Sequence, residues 1–145
     1  MAHEDAGHYA AKHPAGTQLN PVIAEQVKAK IVDDRISCAA AHEIARALGV
    51  SPADVGIVID LLEVRINRCQ LGLFGHRPQK RIVTPAEHVS PELRHAIEAA
   101  CDERGLSCFN AWQIADQRQI SRLEVACACE TLNIKISSCQ LGSFG

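Results

Sequence analysis

The chain has 145 residues, of which 47% are hydrophobic, and its formal net charge is −2 at pH 7. This length is sufficient for a sizeable core, while no apolar run approaches the roughly 18 residues that a membrane-spanning helix needs. Residues 3–5 are His, Glu and Asp, where a signal peptide would begin with basic residues. We therefore expect a cytoplasmic protein that does not bind a membrane.

The chain begins with a segment rich in Ala, Gly and His, which predicts a flexible N-terminal tail at residues 1–19. The first repeat follows at residues 20–75. Asn20 stands before Pro21 as a helix cap, and apolar residues then recur at helical spacing. A second helix is predicted from about Cys38 to Leu48, with Gly49 as its C-terminal stop.

A third helix is predicted to start at Ser51, whose side chain can cap it, and to bury an aliphatic stripe that includes Val55 and Ile59. The first repeat then ends in a predicted strand over Val64–Leu71. Residues 76–90 carry three basic residues, one acidic residue and two prolines, which is typical of an exposed basic linker.

The second repeat, residues 91–145, copies the first without a gap, 70 positions later. The sequence RINRCQLGLFG at residues 65–75 returns as KISSCQLGSFG at residues 135–145. Ser90 and Ser121 take the places of the two helix caps, and Ile134–Leu141 is the equivalent strand. This agreement indicates a duplication, and two matching units are suited to a symmetric partner or a shared site.

The second and third helices of the first repeat resemble the helix-turn-helix pattern: Ala45 is the small residue, Gly49 follows four residues later, and Val55 is the aliphatic residue six beyond that. The second repeat matches this pattern in part, with Gln119 in place of the glycine. The order of helices and strands resembles the winged helix-turn-helix superfamily. The predicted fold is therefore mainly α, with two tandem winged-helix-like units, each of three helices and a small two-stranded sheet.

The resemblance implies DNA as a partner, with the third helix in the major groove. In the first repeat this helix presents Asp60 and Glu63 outward and no basic or amide side chain. The second repeat is the better candidate. We predict that DNA contacts are made there and in the basic linker by Arg118, Gln119, Ser121, Arg122, Arg77, Lys80 and Arg81.

Outward apolar side chains on the third helices favour a different interpretation, a protein-interaction adaptor or a homodimer. The residues that would form this interface are Ile57, Leu61, Ala126 and Cys127. In this case the helix-turn-helix would serve contacts with a protein partner instead of DNA.

Paired cysteines suggest a third interpretation. Cys38 and Cys108 stand at predicted helix N-termini, where the helix dipole favours a thiolate, and Cys69 and Cys139 lie on strands expected nearby. The four thiols could bind zinc or an iron-sulfur cluster, or each pair could be redox-sensitive. Packing of cysteine as a small apolar residue is the simpler alternative.

Catalytic motifs are missing from the sequence: it contains no phosphate-binding glycine loop and no nucleophile in a recognisable setting. We therefore expect a non-enzymatic transcriptional regulator that binds DNA, with cysteines that could tune it through a metal or through oxidation.

Overall fold

The computed structural model describes residues 8–145. Within this range the protein is mainly helical, and its order of elements follows the duplication. The elements are a 3₁₀ helix at Tyr9–Lys12, α1 at Pro21–Lys30, β1 at Arg35–Ser37, α2 at Cys38–Leu48, α3 at Pro52–Leu61, β2 at Arg65–Asn67, α4 at Pro91–Ala100, α5 at Cys108–Arg118 and α6 at Arg122–Thr131.

Helix starts agree with the capping residues that the sequence indicates. The side chains of Asn20, Ser51 and Ser90 each accept a hydrogen bond from a backbone N–H in the first turn of the following helix. Ser121 and Glu124 form a complete capping box at the start of α6. These local bonds satisfy N–H groups that have no partner inside the helix, which is why the starts are readable from sequence.

The sheet is smaller than predicted, and its pairing is parallel. β1 and β2 pair with Arg35 opposite Arg65, Ile36 opposite Ile66 and Ser37 opposite Asn67. The second repeat has only an isolated parallel bridge between Leu106 and Ile136. The predicted strand at Val64–Leu71 is therefore confirmed only over Arg65–Asn67, and the strand predicted at Ile134–Leu141 is reduced to the bridge at Ile136.

Two compact units divide the chain, and their borders do not coincide with the repeats. Unit 1 comprises the chain up to Cys69 together with Gln140–Phe144, and unit 2 comprises Gln70–Cys139 with Gly145. Each repeat therefore ends in a CQLGxFG motif of which most belongs to the unit built from the other repeat. The predicted borders at residues 75 and 145 are those of the sequence repeats.

Each unit has its own apolar core. In unit 1, α1, α2 and α3 bury Val27, Ala41 and Val55 completely, and Ile36 of β1 is 1% exposed. In unit 2 the core residues with the same positions in the repeat are Ile97, Ala111, Val125 and Leu106, all fully buried. The amphipathic pattern of the sequence identifies these inward faces correctly.

The segments expected to be a flexible tail and an exposed linker are partly packed. Tyr9 of the 3₁₀ helix is 4% exposed, and Val83 of the linker is 6% exposed. Each is an apolar residue in a polar stretch, and its side chain is buried within its unit. Residues 1–7 of the predicted tail lie outside the described residues.

None of the helices in residues 8–145 has the length and apolar character needed to cross a lipid bilayer.

Candidate functional site

In both repeats a tight turn joins the second helix to the third at the position that the sequence predicts. α2 ends at Gly49, whose φ of 66° is left-handed, and the N–H of Val50 donates to the Ala45 carbonyl. α5 ends in the same way at Gln119, with a φ of 56°, and the N–H of Ile120 donates to the Ala115 carbonyl. Glycine adopts this conformation without strain, whereas a glutamine there is less common.

The outward face of α3, which a DNA-binding unit would place in the groove, is covered within unit 1. The buried carboxylate of Asp60 lies 3.0 Å from Lys12 Nζ and 2.8 Å from His13 Nε2. Glu63 accepts hydrogen bonds from the backbone N–H groups of Tyr9 and Ala10. The N-terminal segment at residues 8–13 therefore lies on this face.

Residues 140–144 cover the same face of α3 farther toward its start. Gly56 is buried, and a Cβ atom at this position would lie 1.9 Å from the Leu141 carbonyl oxygen. Lys12 Nζ also donates to the carbonyl of Gly142, so the two covering segments are joined to each other. We call the residues 8–13 and 140–144 together the unit 1 cover.

In unit 2 the linker covers the corresponding face of α6. The N–H of Ala86 donates to the Cys127 carbonyl, and the Thr131 hydroxyl donates to the Ala86 carbonyl. Arg81 forms an ion pair with Glu130. Gln70 accepts a hydrogen bond from Arg122 at the start of α6. We call residues 70–86 the unit 2 cover, and its contacts at Gln70, Arg81 and Ala86 occupy part of the side of α6 that the resemblance assigns to DNA.

Each cover forms an ion pair with the third helix of its own unit, and the two ion pairs are equivalent. The sequence analysis did not identify them. Asp60 and Glu130 occupy equivalent positions in the repeats, and each binds a cation from the segment that precedes its repeat. From the sequence, Asp60 was expected to face outward. An acidic residue kept at one position, with Lys12 and Arg81 upstream of the respective repeats, is the signal that could have revealed the covers.

The predicted DNA-binding residues at the turn between α5 and α6 differ in their exposure to solvent. Arg118 and Gln119 are exposed at the end of α5, and the exposed Ser121 caps α6. Arg122 is half-buried: its Cζ atom lies 3.6 Å from the centre of the Trp112 ring, and its Nη1 donates to Gln70. Arg122 therefore packs within unit 2, while the first three remain accessible.

Replacing Arg122 with alanine tests this packing role. We expect Arg122→Ala to lower the free energy of unfolding by about 1–2 kcal/mol, because it removes a cation–π contact and a hydrogen bond. Emission from Trp112, the only tryptophan, should shift to longer wavelength as its ring, now 8% exposed, meets water. Urea unfolding followed by tryptophan fluorescence measures both effects. Arg118→Ala is the control for the lost charge, and equal behaviour of the two variants would contradict the packing role.

The remaining predicted residues of the linker and of the third helices also differ in their exposure and contacts. Arg77 and Lys80 are exposed, whereas Arg81 is held by Glu130. Of the interface candidates, Ala126 is buried and Cys127 is partly covered, while Ile57 and Leu61 of α3 are half-exposed. The proposed apolar interface is therefore continuous in neither unit.

The cysteine pairs have equivalent placements in the two units. In unit 1, Cys38 follows Ser37 at the end of β1, and Cys69 stands two residues after Asn67, the partner of Ser37 in the sheet. In unit 2, the N–H of Cys108 donates over 2.9 Å to the carbonyl of Ser138, the residue before Cys139. Cys38, Cys69 and Cys108 are buried, and Cys139 is half-buried. This backbone pairing is adjacent to both cysteines of each pair, and the prediction that the members of a pair lie near each other stays a prediction.

A complete metal centre is not preformed in the part of the chain that the structure describes. Among residues 8–145 no three His, Cys, Asp or Glu side chains converge as a ligand set. A metal ion bound by one pair alone would therefore have two sulfur ligands from its unit.

Two further cysteines of unit 2, which the sequence analysis did not single out, are the buried Cys129 and the half-buried Cys101. Burial, assisted by the nearby Cys101, raises the pKa of the Cys129 thiol to about 12. Burial also raises the pKa of Cys101, with Asp102 and Glu98 adding to the effect. The first repeat has Ile31 and Ile59 at these two positions, so both the raised pKa values and the comparison indicate apolar packing.

Comparison of the chain with protein-family models, with curated proteins and with solved structures finds no match.

Proposed function

We propose that this chain is a non-enzymatic thiol sensor in which each helix-turn-helix unit binds a thiophilic metal ion through its cysteine pair. The observation that carries the proposal is the backbone pairing beside the cysteines of each unit: Ser37 lies opposite Asn67 next to Cys38 and Cys69, and the Cys108 N–H donates to the carbonyl of Ser138, the residue before Cys139. Thiolate ligands select zinc, copper(I) and iron-sulfur clusters. Such a site requires reduced thiols, which is consistent with the cytoplasm as its location.

The start of the second helix in each repeat supports metal binding by lowering the cost of a thiolate. Cys38 is the first residue of α2, and Cys108 is the first residue of α5. The N-terminal end of a helix carries a partial positive charge, which stabilises a negative sulfur there. Cys129 lies within α6 and has no such advantage.

Comparison of the two repeats also favours a role beyond packing. Core positions of the first repeat change in the second: Ile31 is replaced by Cys101, and Ile59 by Cys129. Apolar residues are therefore exchanged for one another where only volume and hydrophobicity matter. The four paired cysteines remain cysteine in both copies, which is the pattern that a need for sulfur would produce.

Metal analysis of the full chain after anaerobic purification tests the proposal. We expect stoichiometric zinc or copper, or uptake of either when the apo chain is titrated with zinc or copper(I). Cys69→Ser and Cys139→Ser should each remove the metal of one pair, and the double variant should remove both. Cys127→Ser, which changes a half-buried cysteine outside the pairs, is the matched control.

The outcomes separate the alternatives. Metal retained by the double variant, or no uptake by wild type under reducing conditions, would refute metal binding by the pairs. Mass spectrometry of the wild-type chain after mild oxidation would then show whether a pair closes to a disulfide instead, with the Cys69→Ser and Cys139→Ser variants as controls that each lack one pair.

A second candidate function is DNA binding by unit 2, and its support is the corner between α5 and α6. Arg118, Gln119 and Ser121 are exposed beside a helix-turn-helix turn, and the winged-helix resemblance of both repeats implies DNA as the partner. The cover on α6 counts against deep entry of this helix into the major groove. Contacts would therefore have to come from the corner itself, together with Arg77 and Lys80.

Selection of genomic DNA fragments by the reduced full chain, first at low and then at moderate salt, tests this second candidate. Arg118→Ala should weaken binding and reduce its salt dependence, because one phosphate or base contact is lost. Arg104→Ala, at an exposed position away from the corner, is the control for charge. Equal affinity of both variants and wild type would refute the assignment of Arg118.

A further inference from the structure

The exposed face of the small sheet in unit 1 places two arginines directly opposite each other. Arg35 of β1 and Arg65 of β2 are partners in the parallel register, and both are half-buried. Ser37 and Asn67, two residues farther along each strand, lie on the same face because side chains alternate along a strand. This face therefore carries two guanidinium groups, a hydroxyl and an amide.

The backbone under these side chains is held firmly. Ile36 and Ile66, which point to the opposite face, are 1% and 4% exposed. Before β1 the chain makes a tight turn in which Val32 and Arg35 exchange both backbone hydrogen bonds. The two arginines are thus fixed side by side at their Cα atoms, and only their side chains can move apart.

Charge makes this arrangement unfavourable for the sheet alone. Like charges directly opposite each other on two strands destabilise the pairing. Within residues 8–145 neither guanidinium forms an ion pair with a carboxylate, and Arg35 Nη1 donates instead to the backbone carbonyl of Asp33. A bound anion would remove the repulsion and provide the missing counter-charge.

We propose that Arg35 and Arg65 together bind a dianionic phosphoryl group, either free phosphate or the end of a phosphate monoester. The planar guanidinium donates two parallel hydrogen bonds to such a group, and two neighbouring guanidiniums match its two negative charges. The amide of Asn67 supplies a further donor on the same face. This site is independent of the cysteine pairs and of DNA binding.

Unit 2 lacks the equivalent pair and therefore provides a control within the same chain. The positions of Arg35 and Arg65 are taken by Gly105 and Lys135. Gly105 is required there because a Cβ atom would lie 2.1 Å from the Lys135 carbonyl oxygen. The adjoining open cavity of about 360 Å³ is lined by three carboxylates as well as by Arg104 and Lys135, so its cations are balanced.

Calorimetric titration of the full reduced chain with inorganic phosphate and with phenyl phosphate, at constant ionic strength, tests the proposal. We expect one site per chain, and a Kd that rises about tenfold or more in Arg65→Gln and in Arg35→Gln. Arg65→Lys should fall between these variants and wild type, because it keeps the charge and loses the paired donors. Lys135→Gln should bind like wild type.

The two ligands distinguish the source of the phosphoryl group, since tighter binding of phenyl phosphate would indicate an ester. No binding of either ligand by wild type would overturn the proposal. It would also be overturned if the Arg65→Gln and Arg35→Gln variants, shown by circular dichroism to be folded, bound phosphate as wild type does, or if Lys135→Gln lost binding.

Discussion

Replacing Gly56 with alanine should destabilise the protein by about 2 kcal/mol or more, although the same change in an ordinary exposed helix is stabilising by about 1 kcal/mol. The added Cβ atom would lie 1.9 Å from the carbonyl oxygen of Leu141 and 2.7 Å from its carbonyl carbon. Both are backbone atoms, so no side-chain rotation can relieve the clash. Either α3 or residues 140–144 must move.

Chemical denaturation followed by far-ultraviolet circular dichroism measures this effect. The second repeat has Ala126 where the first has Gly56, which makes Ala126→Gly the matched control. We expect the control to lose about 1 kcal/mol, the usual cost of glycine within a helix. A Gly56→Ala variant as stable as wild type would mean that residues 140–144 do not lie against α3.

The second large effect concerns Leu141, and we expect it in the repeat that does not contain this residue. Leu141 is 2% exposed and belongs to unit 1, so Leu141→Ala should cost about 2–5 kcal/mol. The faster amide exchange should be concentrated in α3 and in the 3₁₀ helix at Tyr9–Lys12, because both contact residues 140–144. Amide hydrogen exchange read by mass spectrometry locates the effect along the chain.

Leu71→Ala is the reciprocal variant. Leu71 is 1% exposed and belongs to unit 2, so its loss should increase exchange in α6 and spare α3. The crossed pattern is the informative result. If each variant instead loosened the repeat in which its residue stands, the exchange of CQLGxFG motifs between the units would be refuted.

Helices were predictable from the sequence because the signals that begin and end them are local. The N-cap at Ser37 and the left-handed stop at Gly49 set the bounds of α2, which agree with the predicted Cys38–Leu48. Strand length was not predictable in this way. The parallel pairing of β1 with β2 joins residues 30 positions apart, and it ends where Arg68 adopts a left-handed φ of 52°.

The exchange between the units could not be predicted from the motifs themselves. CQLGLFG and CQLGSFG differ in one residue, so each is chemically able to complete either unit. The choice depends on the path of the chain beyond Cys69 and Cys139, which is a property of tertiary structure. The covers were missed for a related reason. Asp60 is a charged residue that would face outward on an isolated helix, and its burial is explained by its contacts with Lys12 and His13.

The positions of the cysteine pairs were better determined by the sequence. Cys38 and Cys108 were expected at helix N-termini, and these helices begin at those residues. The sequence could not distinguish Cys129, which also lies on an amphipathic helix. Burial in the packed core raises the pKa of Cys129, and Cys101, which is far away in the sequence, adds to the effect.

The ion pair and hydrogen bonds of the unit 1 cover have a consequence for synthesis on the ribosome. Lys12 donates to the Gly142 carbonyl across a separation of 130 residues. Unit 1 therefore cannot reach its final form when the first repeat emerges, and it must wait until residues 140–144 have been translated. Because contacts so distant in sequence form late, we expect the nascent first repeat to expose α3 while the second repeat is made. Chaperones that recognise apolar helix faces could bind α3 during this interval.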